Sequence, residues 1–399
     1  MRVLAVQIAN GYSAEARVLA SLLGWRGGED VLVLHHSWAG DRASADKFAQ
    51  NARGHLEQFD AGWRPNPNGK RSAMARIGSR LRFRTMLPAI RQTARNYSPN
   101  IVISCQQRWD CGAAASIARH LAIPQVIYLC YNIGPWLGDA VLTRLLTCDH
   151  VIAVSDFIRD QAVRHGVAPQ RVTTIRPAMR PFSPASPGTR EEVRAELGVP
   201  LGARVIGMVA RLDPSKGQKD TIAAFAKIAP THPEAHLVIV GGTLSTGGTK
   251  KQELQTMAAR LGLSDRVLLT GERSDIQRLL TAMDIFIHPS RQEPFAIAPL
   301  EAAAAGLPVV AYAEGGFLEL IANDETGILI TSGDIGGLAD SLAFLLENPD
   351  VARRIGAAGK EQIRLRFQPE QASQKFMEQL RRVAGCASRP GVAALSDSD

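Results

Sequence analysis

Short β-branched runs separated by helical stretches recur along the whole chain, and this alternation confines it to parallel sheets wound with helices. In the first half the runs are VLAVQI (3–8), DVLVLHH (30–36), NIVISC (100–105), QVIYLC (125–130), HVIAVS (150–155) and RVTTI (171–175). The pattern stops after Arg176 at RPAMRPFSPASPG, four prolines in thirteen residues, which marks a domain boundary. TREEVRAELG then predicts a helix with Thr189 as its cap. The alternation restarts with RVIGMVA (204–210), HLVIVGG (236–242), RVLLTGE (266–272), DIFIHPS (284–290), PVVAY (308–312) and GILI (327–330). A chain of 399 residues exceeds what one such core comfortably fills, so two α/β domains facing a cleft are expected. Their expected bounds are 1–176 and 204–366, with 177–203 as linker and first helix of the second. Helical stretches at 334–347, 350–366 and 369–384 follow without a strand. The segment 367–385 is expected to cross back to the first domain, and 386–399 reads as a frayed tail.

Composition narrows the class of chain. With 45% hydrophobic and 21% charged residues it is an ordinary globular sequence. No apolar run approaches the roughly 20 residues that span a bilayer, and the opening apolar run is broken too soon, at Asn10 and Gly11, for a signal peptide. Cys105, Cys111, Cys130, Cys148 and Cys386 are odd in number and nowhere spaced CxxC, which points away from a disulfide framework or zinc ribbon and toward a reducing cytoplasm. The net charge of +8 is concentrated. Residues 51–95 carry Arg53, Arg64, Lys70, Arg71, Arg76, Arg80, Arg82, Arg84, Arg91 and Arg95 against only Glu57 and Asp60. Such a block suits an anionic partner, a lipid surface or a phosphorylated acceptor, or else a plain solvated face; nucleic acid is not expected.

A doubly wound sheet binds its ligand at the carboxyl ends of its strands, near the switch in strand order. In GMVARLDPSKGQKD a buried strand delivers Arg211, and Lys216 follows at the start of a helix beginning near Gly217. A planar guanidinium fork beside a compact ammonium suits diphosphate oxygens and the charge of a departing nucleoside diphosphate. In EPFAIAPLEAAAAGLPVV, Glu293 stands eight residues before Glu301 and a helix opens between them, near Ala296. Phosphate docked on the free N–H groups of that helix start would leave Glu301 to accept ribose hydroxyls and Glu293 to face a sugar. Gly315-Gly316 follows the next strand and exposes backbone N–H groups. Two glutamates and a glycine pair also fit an ordinary helix start and turn.

Together these segments resemble the retaining glycosyltransferases of family 4, whose second domain carries GRL…KG, then PS…E-x7-E, then A…G.PVV…GG..E…G. The chain reads ARLDPSKG, HPSRQEPFAIAPLE, AAAAGLPVVAYAEGGFLE and NDETGILI in that order and spacing, with a further match at 148–176. The resemblance implies a GT-B fold of two Rossmann-like domains, the first meeting the acceptor and the second the nucleotide sugar, with a UDP-, GDP- or ADP-sugar as co-substrate and no metal. It implies that Arg211 and Lys216 grip the diphosphate, Glu301 the ribose and Glu293 the sugar. The backbone of Phe295, Ala296 and Ile297 would meet the phosphates, and Glu272 and Arg273 the base.

The chain departs from the pattern on the acceptor side. Where the family opens with Gly-Gly it has Asn10-Gly11-Tyr12-Ser13, with Gly11 left to serve the donor. The slot of a common family histidine holds Cys130, Tyr131 or Asn132, which with Gly315 and Gly316 are the acceptor-side candidates. Ala296 follows Phe295 in place of the usual glycine, and Arg176-Pro177-Ala178 replaces the common N-G hinge. His288 ends a strand beside the site and reads as structural. The expected enzyme moves a sugar to a hydroxyl acceptor, lipid-linked, glycan or natural product. The alternatives are an impaired homologue that binds nucleotide sugar or glycan as a subunit, and a sugar-nucleotide epimerase of the same fold.

Overall fold

The computed structural model describes residues 1–7, 14–24, 29–36, 49–59, 73–105, 108–178, 186, 188–243 and 249–386. Gly11, Arg64, Lys70, Arg71 and the tail from 387 lie outside the described residues.

The strands fall into two parallel sheets. The first comprises β1 (Arg2–Gln7), β2 (Asp30–His36), β3 (His55–Phe59), β4 (Ile101–Cys105), β5 (Gln125–Leu129), β6 (His150–Ala153) and β7 (Val172–Thr174), in the order β3-β2-β1-β4-β5-β6-β7. The second comprises β8 (Arg204–Val209), β9 (Ala235–Val240), β10 (Val267–Gly271), β11 (Ile285–His288), β12 (Val309–Tyr312) and β13 (Ile328–Ile330), in the order β10-β9-β8-β11-β12-β13. Every pairing is parallel, with Val3 opposite Ile101 and Ile206 opposite Ile285 at the two points where the order reverses. The central strands are apolar on both faces because helices cover both: Val3 to Val6, Ile101 to Ile103 and Val126 to Leu129 are completely buried. Each such Val, Ile or Leu contributes roughly 1.5–3 kcal/mol by leaving water.

One local expectation, the cap at Thr189, is corrected, and two further features are not announced by the sequence. The edge strand β3, HLEQF, has no β-branched residue to announce it and is held by pairing with β2. Thr189 is the first helical residue and not the cap; Gly188, at φ +83°, takes that place, and the Thr189 hydroxyl donates to Ser186 O at 2.7 Å. Pro88 does not interrupt its helix, which runs from Ala73 to Tyr97. The proline is exposed, and the residues after it are anchored by Ile90 and Ala94, both fully buried. Burial on that face outweighs the one backbone bond a proline removes.

The last helix, Pro369–Cys386, packs on the first lobe. Phe376 is fully buried with its ring edge-on to Tyr128 at 6.0 Å, Ser373 Oγ donates to Ser21 O at 3.1 Å, and Arg381 pairs with Glu29.

Candidate active site

β8 and β11 are neighbours at the reversal of the second sheet, so the loops leaving their carboxyl ends share one crevice. The loop after β8 carries Arg211, turns through Pro214–Lys216 and enters the helix Gln218–Ile228. Asp213 shapes the turn by accepting from Ser215 N at 3.0 Å. Gly217 closes it at φ +79°, where any Cβ would sit 2.1 Å from Pro289 O, so this left-handed close approach requires glycine. The loop after β11 is stitched to it: Arg291 N donates to Ser215 O at 3.0 Å, and Ser290 Oγ lies 3.2 Å from the same oxygen.

The two loops bring Lys216 and Glu293 together, Nζ to Oε2 at 2.6 Å. Ser290 Oγ donates to the same carboxylate oxygen at 2.7 Å, and His288 Nε2 stands 3.9 Å away, too far for a hydrogen bond. Burial by itself would raise the Glu293 carboxyl, but His288 and the Lys216 ammonium outweigh burial and bring it down to about 2. His288 is buried between Phe286 and Phe317, and burial lowers its basicity. Arg211 lies at the same strand end with 43% of its side chain exposed, and its ion-pair partner is Asp213 at 3.8 Å. That guanidinium is open to an incoming anion.

Past Glu293 the chain enters the helix Ile297–Ala305 with Ala296 as its cap residue. Phe295 and Ala296 are buried, and Ile297 N donates back to Phe295 O at 3.0 Å, so that N–H is turned away from a ligand. Glu301 occupies the second turn, half-buried, with no hydrogen bond or ion pair among the described residues. Burial raises its carboxyl, opposed only by the more distant charge of Arg17 from the first lobe.

Gly315 and Gly316 lie under Glu293 as backbone packing. A Cβ on Gly315 would meet Glu293 O at 2.4 Å, and Gly316 N donates to that oxygen at 2.8 Å, so this N–H is not free as the sequence suggests. Glu272 stands against Gly242, where a Cβ would come within 3.1 Å of it. Arg273 is drawn away into a surface lattice, 2.6 Å from Glu196 and 2.7 Å from Asp275. Of the three acceptor-side candidates in the slot of the family histidine, Tyr131 meets Trp136 edge-on at 6.0 Å and Cys130 is half-buried. Asn132 reaches across the cleft and donates to Gln292 O at 2.6 Å. Ser290 enters the sequence reading only within the Pro-Ser motif, with no role given to it, and nothing in the sequence singles out Gln161, since a lone glutamine has no spacing to mark it. Arg176, the hinge departure, binds Glu319 of the second lobe at 2.7 Å and also Asp156 of the first.

The basic block is divided. Arg91 donates to Ser116 at 2.9 Å and Arg95 contacts His120, which ties the end of the block to the next helix, while Arg53, Arg84 and Arg95 are exposed. Among the described residues no helix is long and apolar enough to cross a membrane, and no three His, Cys, Asp or Glu cluster as metal ligands.

Comparison with known proteins bears on the family and the fold. Residues 189–362 match the family described as glycosyl transferases group 1, and residues 23–180 match Glycosyltransferase Family 4. The chain is 30% identical to alpha-maltose-1-phosphate synthase of Mycolicibacterium smegmatis over 75% of its own length and 84% of that protein's. It is 32% identical to D-inositol 3-phosphate glycosyltransferase of Corynebacterium efficiens over 54% of its own length and 52% of the other's. The structure of Anabaena HepE in complex with UDP and glucose superposes with a TM-score of 0.80 at 23% identity, covering 96% of this chain and all of that one. This last likeness establishes the two-lobed GT-B fold.

Proposed function

We propose that this chain, which belongs to the family 4 glycosyltransferases and acts on a nucleotide-sugar donor, transfers the sugar to a hydroxyl acceptor with retention at the anomeric carbon and without a metal ion. The observation that carries the reading is the Lys216–Glu293 pair at the sheet reversal, with the open Arg211 guanidinium beside it. In this reading Arg211 and Lys216 neutralise the departing diphosphate, the work a divalent ion does elsewhere. The released phosphate, still held on the face it left, accepts the proton of the incoming hydroxyl, and the new bond forms on that same face. Glu293, fixed as a carboxylate, holds sugar hydroxyls; Glu301 takes the ribose, and the backbone of Phe295 and Ala296 the phosphates, the Ile297 N–H being spent on Phe295 O. Glu272 lies toward the base, and Arg273, engaged elsewhere, contributes by bracing that loop. UDP is the first donor nucleotide to try, since the superposed Anabaena protein holds it. The basic block favours an anionic acceptor, carried on a membrane surface or free in solution.

A thermal-shift comparison of UDP, GDP and ADP in the presence of chelator tests the donor half, because a bound nucleotide stabilises by mass action. One nucleotide should raise Tm clearly above the others, and NMR of the product should show the anomeric configuration of the donor. Stabilisation by none of the three, or an inverted product, contradicts the proposal.

A further inference from the structure

The three carbonyls around Glu293 are each held by a different donor, and two of those donors come from the opposite lobe. Gln292 O accepts from Asn132 Nδ2 at 2.6 Å and Pro294 O from Ser155 Oγ at 2.6 Å, both from the first lobe. Glu293 O accepts from Gly316 N of its own lobe. Gln292 is also in left-handed backbone, φ +51°, a conformation that a side chain other than glycine keeps only when its surroundings enforce it. The enforcement is visible on both of its peptide groups: its N–H donates to Glu314 Oε2 at 2.9 Å while Asn132 grips its carbonyl. Asn132 is in turn oriented by the first lobe. Its Oδ1 accepts from Gln161 Nε2 at 3.0 Å, and Gln161 Oε1 accepts from Ile133 N at 2.9 Å, which fixes both amides the right way round. Gln161 is buried on the helix Asp156–Arg164.

We propose that Asn132, oriented by Gln161, is a positioning residue that holds Gln292 in its left-handed backbone when the lobes meet, so that Glu293 is aligned for the sugar only in the closed cleft. Asn132, one of the three residues around the slot of the family histidine, thus acts on the donor loop and not on the acceptor. The inference rests on the reading of Glu293 as the sugar-holding carboxylate. Its physical basis is that a strained residue directly before the working side chain relaxes once one of its two restraints is removed, and a displacement of about an ångström at a reacting centre is enough to cost one to two orders of magnitude in rate. Ser155 is a poorer probe, because its hydroxyl also accepts from Ile158 N at 3.2 Å and caps a helix.

The test uses the full chain with UDP-, GDP- and ADP-glucose, following consumption of whichever the parent turns over and titrating the matching nucleoside diphosphate. Asn132→Ala should lower kcat about tenfold with the nucleoside diphosphate Kd unchanged within about twofold. Adding Gln292→Gly to that variant should recover most of the loss, since glycine adopts φ +51° without restraint. A residue that merely stabilises the fold would lower Tm and would not be rescued by a glycine on the other lobe. Parental turnover in Asn132→Ala, or a loss that Gln292→Gly leaves in place, overturns the proposal. Glu293→Gln measured alongside separates the two readings. If it is active, the role of Glu293 fails; if it is dead while Asn132→Ala is parental, only the positioning role fails.

Discussion

Glu293 and Glu301 are eight residues apart on one loop-and-helix segment, and the fold treats them in opposite ways. Glu293 is buried against Lys216 at 2.6 Å and Ser290 at 2.7 Å, and despite burial it is brought down to about 2. Glu301, half-buried in the next helix, lacks such partners and is raised. The difference shows that two carboxylates of one motif can sit in opposite environments. One carboxylate is a fixed charge, already compensated before any ligand arrives; the other is held in a costly state that a hydroxyl-rich ligand would relieve.

The largest effect should come from removing the cations. Arg211→Ala and Lys216→Ala should each lower turnover by roughly a hundredfold or more, the scale for loss of a charged transition-state stabiliser. Lys216→Ala should in addition destabilise the fold by about 3 kcal/mol, because it strands a buried carboxylate, whereas Arg211→Ala, at an exposed side chain, should leave the denaturation midpoint nearly unmoved. Parental turnover in both variants would dismiss the diphosphate assignment.

Acid should distinguish the carboxylates next. A depressed folded-state carboxyl contributes stability that is complete above its ordinary value of 4.5 and is lost as pH falls through about 2. Glu293→Gln should therefore flatten the loss of stability over that window. For Glu301 the sign is reversed: stability declines as pH rises above 4.5 through its raised value, so Glu301→Gln should raise the Tm of the ligand-free protein near neutrality. Denaturation curves from pH 2 to 8 check both, and identical profiles for the two variants would erase the contrast.

The smallest expected effect concerns the first lobe. If the basic block docks on a membrane, co-sedimentation with anionic liposomes should be seen at low salt, fade at high salt and drop when Arg80, Arg82 and Arg84 become Glu, each charge contributing about 1 kcal/mol near the bilayer. Absence of binding at low salt would leave a soluble anionic acceptor.

Much of the second lobe was legible in the sequence because its signals are local. A β-branched run followed by Arg-x4-Lys-Gly, or by Pro-Ser and two spaced glutamates, places side chains on known strand ends, and the strand order then brings them together. What was not legible depends on contacts between distant segments. Nothing in HLEQF announces β3, whose place is set by its neighbour β2. Gly315-Gly316 reads as an open anion-binding turn until Glu293 O is found against it. Arg273 reads as a base contact until Glu196, from the linker helix, claims it. The opposite shifts of the two glutamates are likewise invisible to spacing, because they arise from Lys216 on another loop and from the presence or lack of neighbours in the fold.

The most direct test is isothermal titration of Glu293→Gln and Glu301→Gln with the nucleoside diphosphate that stabilises the parent. Glu301→Gln should weaken binding by about tenfold or more, while Glu293→Gln, whose carboxylate is proposed to hold the sugar and not the nucleotide, should bind within about twofold of the parent and yet fail to transfer. Equal losses of affinity in the two variants, or a larger loss in Glu293→Gln, would contradict the division between a fixed charge and a waiting ligand site.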